Sequence, residues 1–241
     1  MDKDQVIIPD IPISAYEDIG VKLEKIPFWE RKRNVDVGYA GFLLTNPEKE
    51  LMEHNIGIGR EFSKIQREVG SWAWKNFKEK ASGMNPLLGI IEEIGELSKA
   101  ILKKDQGIRG TPEKHDRDAV DAIGDIMIYL MNHLNVVHLE IAPIASTMYL
   151  GRIDLSTDNF GTIEDVRKQL VVLVARLIPG ISDLESKSNG SSVGSLMMYL
   201  DVMARTYGKS LIEVVTDTWS IVSKRNWVED SMVGGGHTHS Q

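Results

Sequence analysis

The chain has 241 residues, 42% hydrophobic and 26% charged, an ordinary globular balance with length for one large or two small domains. Its net charge of -7 argues against a non-specific nucleic-acid binder, which needs a basic face, and the lack of cysteine excludes disulfides, thiolate zinc and cysteine nucleophiles. No apolar run approaches the ~18 residues that cross a bilayer, and Met1–Gln5 has no signal-peptide pattern, so no membrane partner and a cytoplasmic location are expected.

Residues 1–56 mix Pro, Gly and short apolar runs and read as an irregular N-terminal extension, with one short helix near Pro47–His54. Over 58–78, Ile58, Phe62, Ile65, Val69 and Trp72 recur at spacings of three and four, the stripe of a helix, and Trp72, Trp74 and Phe77 crowd its end. The next helix starts with Asn85 as N-cap and Pro86 in first position. Its core stripe is Leu87, Ile90, Ile91, Ile94, Leu97 and Ile101, and it ends near Lys103-Lys104, cations suited to a helix C-terminus. Gly107, Gly110 and Pro112 mark a loop. A third helix runs from about His115 to Leu139 on Val120, Ile123, Met127, Leu130, Leu134 and Val137. The short loop makes these two helices antiparallel neighbours.

A linker over 151–161 leads to a segment that resembles an eroded copy of the preceding pair. Ile123–Leu130 matches Val193–Leu200, and Asp118, Asp121 and Asp125 then correspond to Ser188, Ser191 and Ser195. Glu92–Leu97 aligns with Val172–Leu177, again without the acids. A last helix spans about Ser210 to Trp227, and Gly234–His239 reads as a flexible tail. The domain reading is thus an extension at 1–56, catalytic helices at 57–150, a degenerate repeat at 160–230 packing on them, and a tail at 231–241.

The chemistry concentrates in two acidic clusters, Glu92-Glu93-Ile94-Gly95-Glu96 and Asp118-Ala119-Val120-Asp121-Ala122-Ile123-Gly124-Asp125. Residues three or four apart share a helix face. The two clusters therefore place up to six carboxylates side by side, next to the apolar stripes that pack together. Such like charges repel unless a cation lies between them. Hard divalent cations, Mg²⁺ above all, take oxygen ligands and commonly work on substrate phosphates. Mn²⁺ is the natural substitute.

This pattern resembles the all-α nucleoside triphosphate pyrophosphohydrolases, the MazG-like and dimeric dUTPase-like superfamily, whose signature is E-E-x-x-E, a spacer, then E-x-x-D on the following helix. Glu92-Glu93-x-x-Glu96 matches the first half, and Asp118-x-x-Asp121 matches the second with Asp for Glu, or Asp121 and Asp125 supply that pair. The likeness covers about 58–140 and reaches weakly to Ser223-Lys224-Arg225-Asn226-Trp227. It implies a four- to five-helix bundle, or an internal pseudo-dimer of one catalytic and one degenerate pair. The implied reaction is Mg²⁺-dependent hydrolysis of a (deoxy)nucleoside triphosphate to the monophosphate and pyrophosphate, for nucleotide-pool control, by a homo-oligomer, dimer or tetramer. The resemblance assigns Glu93, Glu96, Asp118 and Asp121 as metal ligands. Glu92 becomes the water activator or a further ligand, and Asp125 a ligand or a support to one.

Other residues are candidates for holding the substrate. Lys99 and Lys103 follow Glu96 at three and seven, and Lys224 and Arg225 resemble the basic pair that ends MazG-like domains. Arg109, Lys114 and Arg117 lie on or beside the inter-helix loop. Trp72 fits the core stripe, whereas Trp74 lies off it and is a candidate for stacking on a base. Asn132, two turns after Asp125, is a candidate for reading a base edge or a sugar hydroxyl. His115 and His133 lack the Glu-x-x-His spacing of a di-iron bundle, no phosphate-binding Gly-x-x-x-x-Gly-Lys-Ser/Thr loop is present, and no β-α alternation suggests a Rossmann fold. Two alternatives stand beside the main reading: a sister enzyme such as a phosphoribosyl-ATP pyrophosphatase, and a non-enzymatic helical interaction module.

Overall fold

The computed structural model describes residues 46–81, 83–148, 162–183 and 190–227. Every regular element among them is helical: α1 (Asn46–Phe77), a 3-10 turn (Lys78–Ala81), α2 (Asn85–Gln106), α3 (Pro112–Val136), α4 (Ile141–Met148), α5 (Ile163–Arg176), α6 (Ile178–Ser182), α7 (Gly190–Thr206) and α8 (Leu211–Val222). The all-α class is as expected. No described helix is long and apolar enough to cross a membrane. The linker at 151–161, the tail at 231–241 and residues 1–45 of the extension lie outside the described residues.

The extension ends earlier than its sequence suggests. The short helix near 47–54 and the helix expected at 58–78 are one continuous α1. The turn formers of the extension stop at Pro47, and nothing after it interrupts the helix. Ile58, Phe62, Ile65 and Val69 of α1 are buried as the stripe requires.

Helix α2 corrects the reading of Asn85. Met84 occupies the cap position, and the Asn85 side chain instead donates to the Lys80 carbonyl at 2.7 Å, tying the helix start to the 3-10 turn. Pro86 lies in the first turn as expected. The helix continues past Lys104 to Gln106 and stops at Gly107, whose φ of +63° is open to glycine at no steric cost. Helix α3 starts three residues before His115, where the Thr111 side chain accepts from Lys114 N–H and Pro112 follows. Helices α2 and α3 then pack antiparallel along their lengths.

A buried amide clamps the other end of α3. Gln66 of α1 donates to the Leu139 carbonyl at 2.7 Å and accepts from Ile141 N–H at 2.9 Å, while Asn135 donates to the Gln66 carbonyl at 2.8 Å. The chain turns at His138, with φ of +58°, so α3 ends at Val136 rather than at Leu139.

Capping boxes at Thr162/Asp165 and Ser210/Glu213 start α5 and α8. Helices α5 and α7 pack on each other, α5 also lies on α2, and one continuous apolar core joins all of these layers. The sequence groups the last helix with the second repeat, yet α8 packs chiefly along α3. Gly124 permits this approach, because a Cβ there would overlap the Thr218 side chain. Away from that contact, Arg167 is buried and bonds Thr206 Oγ1 at 2.9 Å and the Thr206 carbonyl at 2.6 Å, with its guanidinium 3.9 Å from the Tyr207 ring centre.

Gln66→Ala deletes both arms of the clamp and leaves a buried N–H and a buried carbonyl unpaired. Chemical denaturation should find the variant about 2–3 kcal/mol less stable. A loss under about 0.5 kcal/mol would show that water replaces the amide, and the clamp would not be what orders the α3–α4 turn.

Candidate active site

The acids of α2 and α3 meet across the seam between the two helices. Glu93 is half-buried there, and burial, followed by repulsion from Asp125, Glu96, Glu92 and Asp121, pushes its carboxyl from the ordinary 4.5 up to about 8. Burial and then Asp121 push Asp125 up to about 6, with Glu96 adding to the rise and Arg225 opposing it. Asp121 is also raised, by burial first, against the pull of Arg225. These shifts share one physical cause. Acidic groups have been drawn partly out of water beside one another, and among the described residues Arg225 is the cation that offsets the rise at Asp121 and Asp125.

The acids of the two registers of the second motif differ in their surroundings. Asp121 and Asp125 belong to the seam. Asp118 sits one turn earlier on an exposed stretch and pairs with Lys114 Nζ at 2.9 Å. Asp118 still adds to the rise of Asp121, so it stands at the edge of the same cluster, and the contact occupies Lys114. Glu92 and Glu96 flank Glu93, both solvent-exposed.

A cavity of about 480 Å³ opens beside Glu92, Glu93 and Asp125. The end of α1 supplies Val69, Trp72 and Phe77, with the two rings edge to face at 5.5 Å between centres. Helix α2 adds Leu88 and Gly89, helix α3 adds Ile128, Tyr129 and Asn132, and the chain after α8 adds Arg225 and Trp227. Trp72 Nε1–H donates to the Arg225 carbonyl at 3.0 Å, and Trp227 N–H donates to Asn76 Oδ1 at 2.8 Å. The C-terminal segment is thereby bound to α1, and Arg225 is carried to the acids. Tyr129 lies flat against α2 because residue 89 is glycine: a Cβ there would run into its ring. Burial, and then Glu93, raises the Tyr129 hydroxyl pKa.

The other expected contacts divide cleanly. Asn132 lines the cavity and its Nδ2 donates to the Ala81 carbonyl at 3.1 Å, which leaves its Oδ1 as an acceptor. Arg225 is in place, whereas Lys224 is exposed and does not line the cavity. Lys103 bonds Gln106 at 2.8 Å on its own helix, and Lys99 is solvent-exposed outside the cavity. Trp74 is 57% exposed, with Lys78 Nζ 5.9 Å from its ring centre, and takes no part in the cavity. Trp72, given to the core by its spacing, is the tryptophan of α1 that lines it. Both histidines of α3 bond backbone: His115 reaches the Ile108 carbonyl, and His133 the Ile181 carbonyl, with burial lowering the His133 pKa. Tyr129 and Gly89 are the functional pair that sequence reasoning missed. The only signal was a glycine inside a helical pattern, which marks close approach by a neighbour.

As placed, no three acidic or histidine side chains among the described residues converge closely enough to hold a cation. By type, though not in this arrangement, the donors suit one. All donors are carboxylate oxygens from facing helices, the preference of a hard divalent ion, and their raised pKa values record a repulsion that a cation would relieve. Comparison with family models, with curated proteins and with solved structures gives no match.

The shifts fix a pH dependence for the metal-free protein. Unfolded, Glu93 loses its proton near 4.5; folded, it holds the proton to about 8. Between those values the native state binds more protons, so stability is full below pH 4.5 and falls as pH rises through 8. Glu93→Gln mimics the protonated form. In EDTA it should melt above wild type at pH 8.5 and level with it at pH 4.5. Equal melting points at both pH values would mean that Glu93 keeps its ordinary pKa in the native state.

Proposed function

We propose that this protein hydrolyses a (deoxy)nucleoside triphosphate to the monophosphate and pyrophosphate, with Mg²⁺ as cofactor, and that its helices form a MazG-like bundle in which α5 and α7 are the eroded counterpart of α2 and α3. One observation carries this reading: half-buried carboxylates from two facing helices, with raised pKa values, stand at the mouth of a cavity walled by aromatic rings and reached by one arginine. The acids suit the charged phosphate end of such a substrate and the aromatic wall suits its base.

Glu93, Glu96, Asp121 and Asp125 would hold the cation, which supplies Lewis-acid activation of a phosphorus–oxygen bond and of an attacking water. Arg225, whose pull on Asp121 and Asp125 is already felt, is sited to pair with phosphate oxygens, for which its planar fork is the better match than a lysine. Glu92, exposed at the rim of the cavity, accepts the proton of a water that lies between it and the phosphate chain. Trp72, Phe77 and Trp227 exclude solvent from the base, and Asn132 Oδ1 accepts from a donor on the base or sugar.

Pyrophosphate release from a panel of ribo- and deoxynucleoside triphosphates, with Mg²⁺ and with EDTA, tests the reaction. Metal-dependent release with monophosphate as co-product is expected. Glu93→Ala, Asp121→Ala and Asp125→Asn should each lower turnover by about 100-fold or more, since even indirect supports of a metal site cost about 10- to 100-fold. Asp118→Asn should stay within a few-fold of wild type. No release from any nucleotide by folded protein would move the acids to a binding or structural role. Release from phosphoribosyl-ATP alone would make the chain the sister enzyme. Full loss in Asp118→Asn, with activity kept in Asp125→Asn, would restore the other register.

A further inference from the structure

We propose that the outer face of α2 is a two-fold interface between two copies of this chain, with the helices antiparallel and crossing at Gly95. The face is apolar where a surface helix should be polar. Met84 is 61% exposed, Leu88 57%, Ile91 49% and Leu102 48%. At about 100° per residue all four fall within about 40° of Gly95 around the helix, so they form one stripe, with Lys99 at its edge and Leu88 also lining the cavity. Gly95 is exposed and a Cβ there would meet nothing within 4 Å, so a neighbour can come close at the middle of the stripe.

The stripe is complementary to itself. Leu88 lies seven residues before Gly95 and Leu102 seven after, so an antiparallel partner crossing at Gly95 sets each Leu88 against the partner's Leu102. The charges repeat the relation. Glu92 precedes Gly95 by three and Lys99 follows it by four, both on the same flank of the stripe. A two-fold axis lying in the contact plane keeps that flank in register, so Glu92 meets the partner's Lys99 within about 1.5 Å along the axis. Among the described residues neither of these two side chains is ion-paired within the chain. A parallel pairing, or a protein with no matching stripe, would use only half of this pattern. A closed isologous contact uses the Leu88–Leu102 and Glu92–Lys99 relations together, each twice. Because Glu92 also lines the rim of the cavity, the contact brings a second copy's lysine to the edge of each acid cluster. The contact itself does not depend on the reaction proposed above.

The chain has no cysteine, so a single introduced thiol reports the geometry. Helices in contact lie about 8–10 Å apart with Cα atoms about 2.3 Å from each axis, which leaves about 4–5 Å between the two residues at the crossing, within the span of a disulfide. The experiment is oxidation of full-length Gly95→Cys at about 1 µM, beside Lys64→Cys on the exposed surface of α1 as control, with sedimentation of the wild type. A thiol at the crossing reacts at millimolar effective concentration, so Gly95→Cys should form its linked dimer about 100-fold faster than the control. The wild type should sediment as an even multiple of one chain. Glu92→Lys and Lys99→Glu should each weaken the assembly, and the double exchange should restore it. A monomeric wild type, equal oxidation of the two thiols, or single charge variants that assemble as tightly as wild type would each overturn the interface. Protection of the introduced thiol in a monomer would mean that another part of the same chain covers α2. None of these outcomes depends on nucleotide turnover.

Discussion

Glu93 and Asp125 face each other across the seam of α2 and α3, and keeping two like charges there is the constraint on which the site depends. Both groups are half-buried, and each helix is fixed by the apolar stripe beside its acids: Ile90, Ile94 and Leu97 on α2, Ile123, Ile126 and Met127 on α3, all buried. The packing of the core therefore holds the carboxylates in a place they would otherwise leave. Their pKa values rise first because burial disfavours the charged form and then because other carboxylates stand close, with Arg225 offsetting part of the rise at Asp125. A cation offers relief with both carboxyls ionised.

The partial counter-charge comes from far along the chain. Arg225 reaches the seam because α8 lies close on α3 at Gly124 and because the Trp72 ring nitrogen holds the Arg225 carbonyl. The same tryptophan forms part of the aromatic wall and packs edge to face on Phe77 and on Trp219 of α8. Structural and functional duties are thus combined in Trp72, which joins α1, α8 and the C-terminal segment around the cavity. A spacing pattern assigns such a residue to the core, and this is half of what it does.

The positions that the sequence left open or misplaced share a cause. Asp118, Asp121 and Asp125 are equivalent by helical period, and period is all that a linear pattern supplies. What separates them is where α3 passes closest to α2, and the lysine one turn before Asp118 that claims it. Asn85 has the composition of an N-cap, but Met84 takes that position, and the Asn85 amide nitrogen donates back to the Lys80 carbonyl. Lys99 and Lys103 lie on the same flank of α2 as Glu92, but about two and three turns further along the helix, beyond the cavity, and Lys103 bonds Gln106 there. In each case local propensity was right about the element and silent about its neighbours.

By itself the sequence determined the helical class, the positions of α2, α3 and α8 to within a few residues, and the presence of paired acids on the two central helices, because apolar period, prolines and capping residues are local properties of the chain. Only the tertiary structure decided which acids share a seam, which tryptophan lines the cavity, that the last helix belongs beside α3, and that Tyr129 lies on Gly89. Those depend on the rotation and approach of one helix against another, which the summed packing of side chains far apart in sequence sets and no single segment encodes.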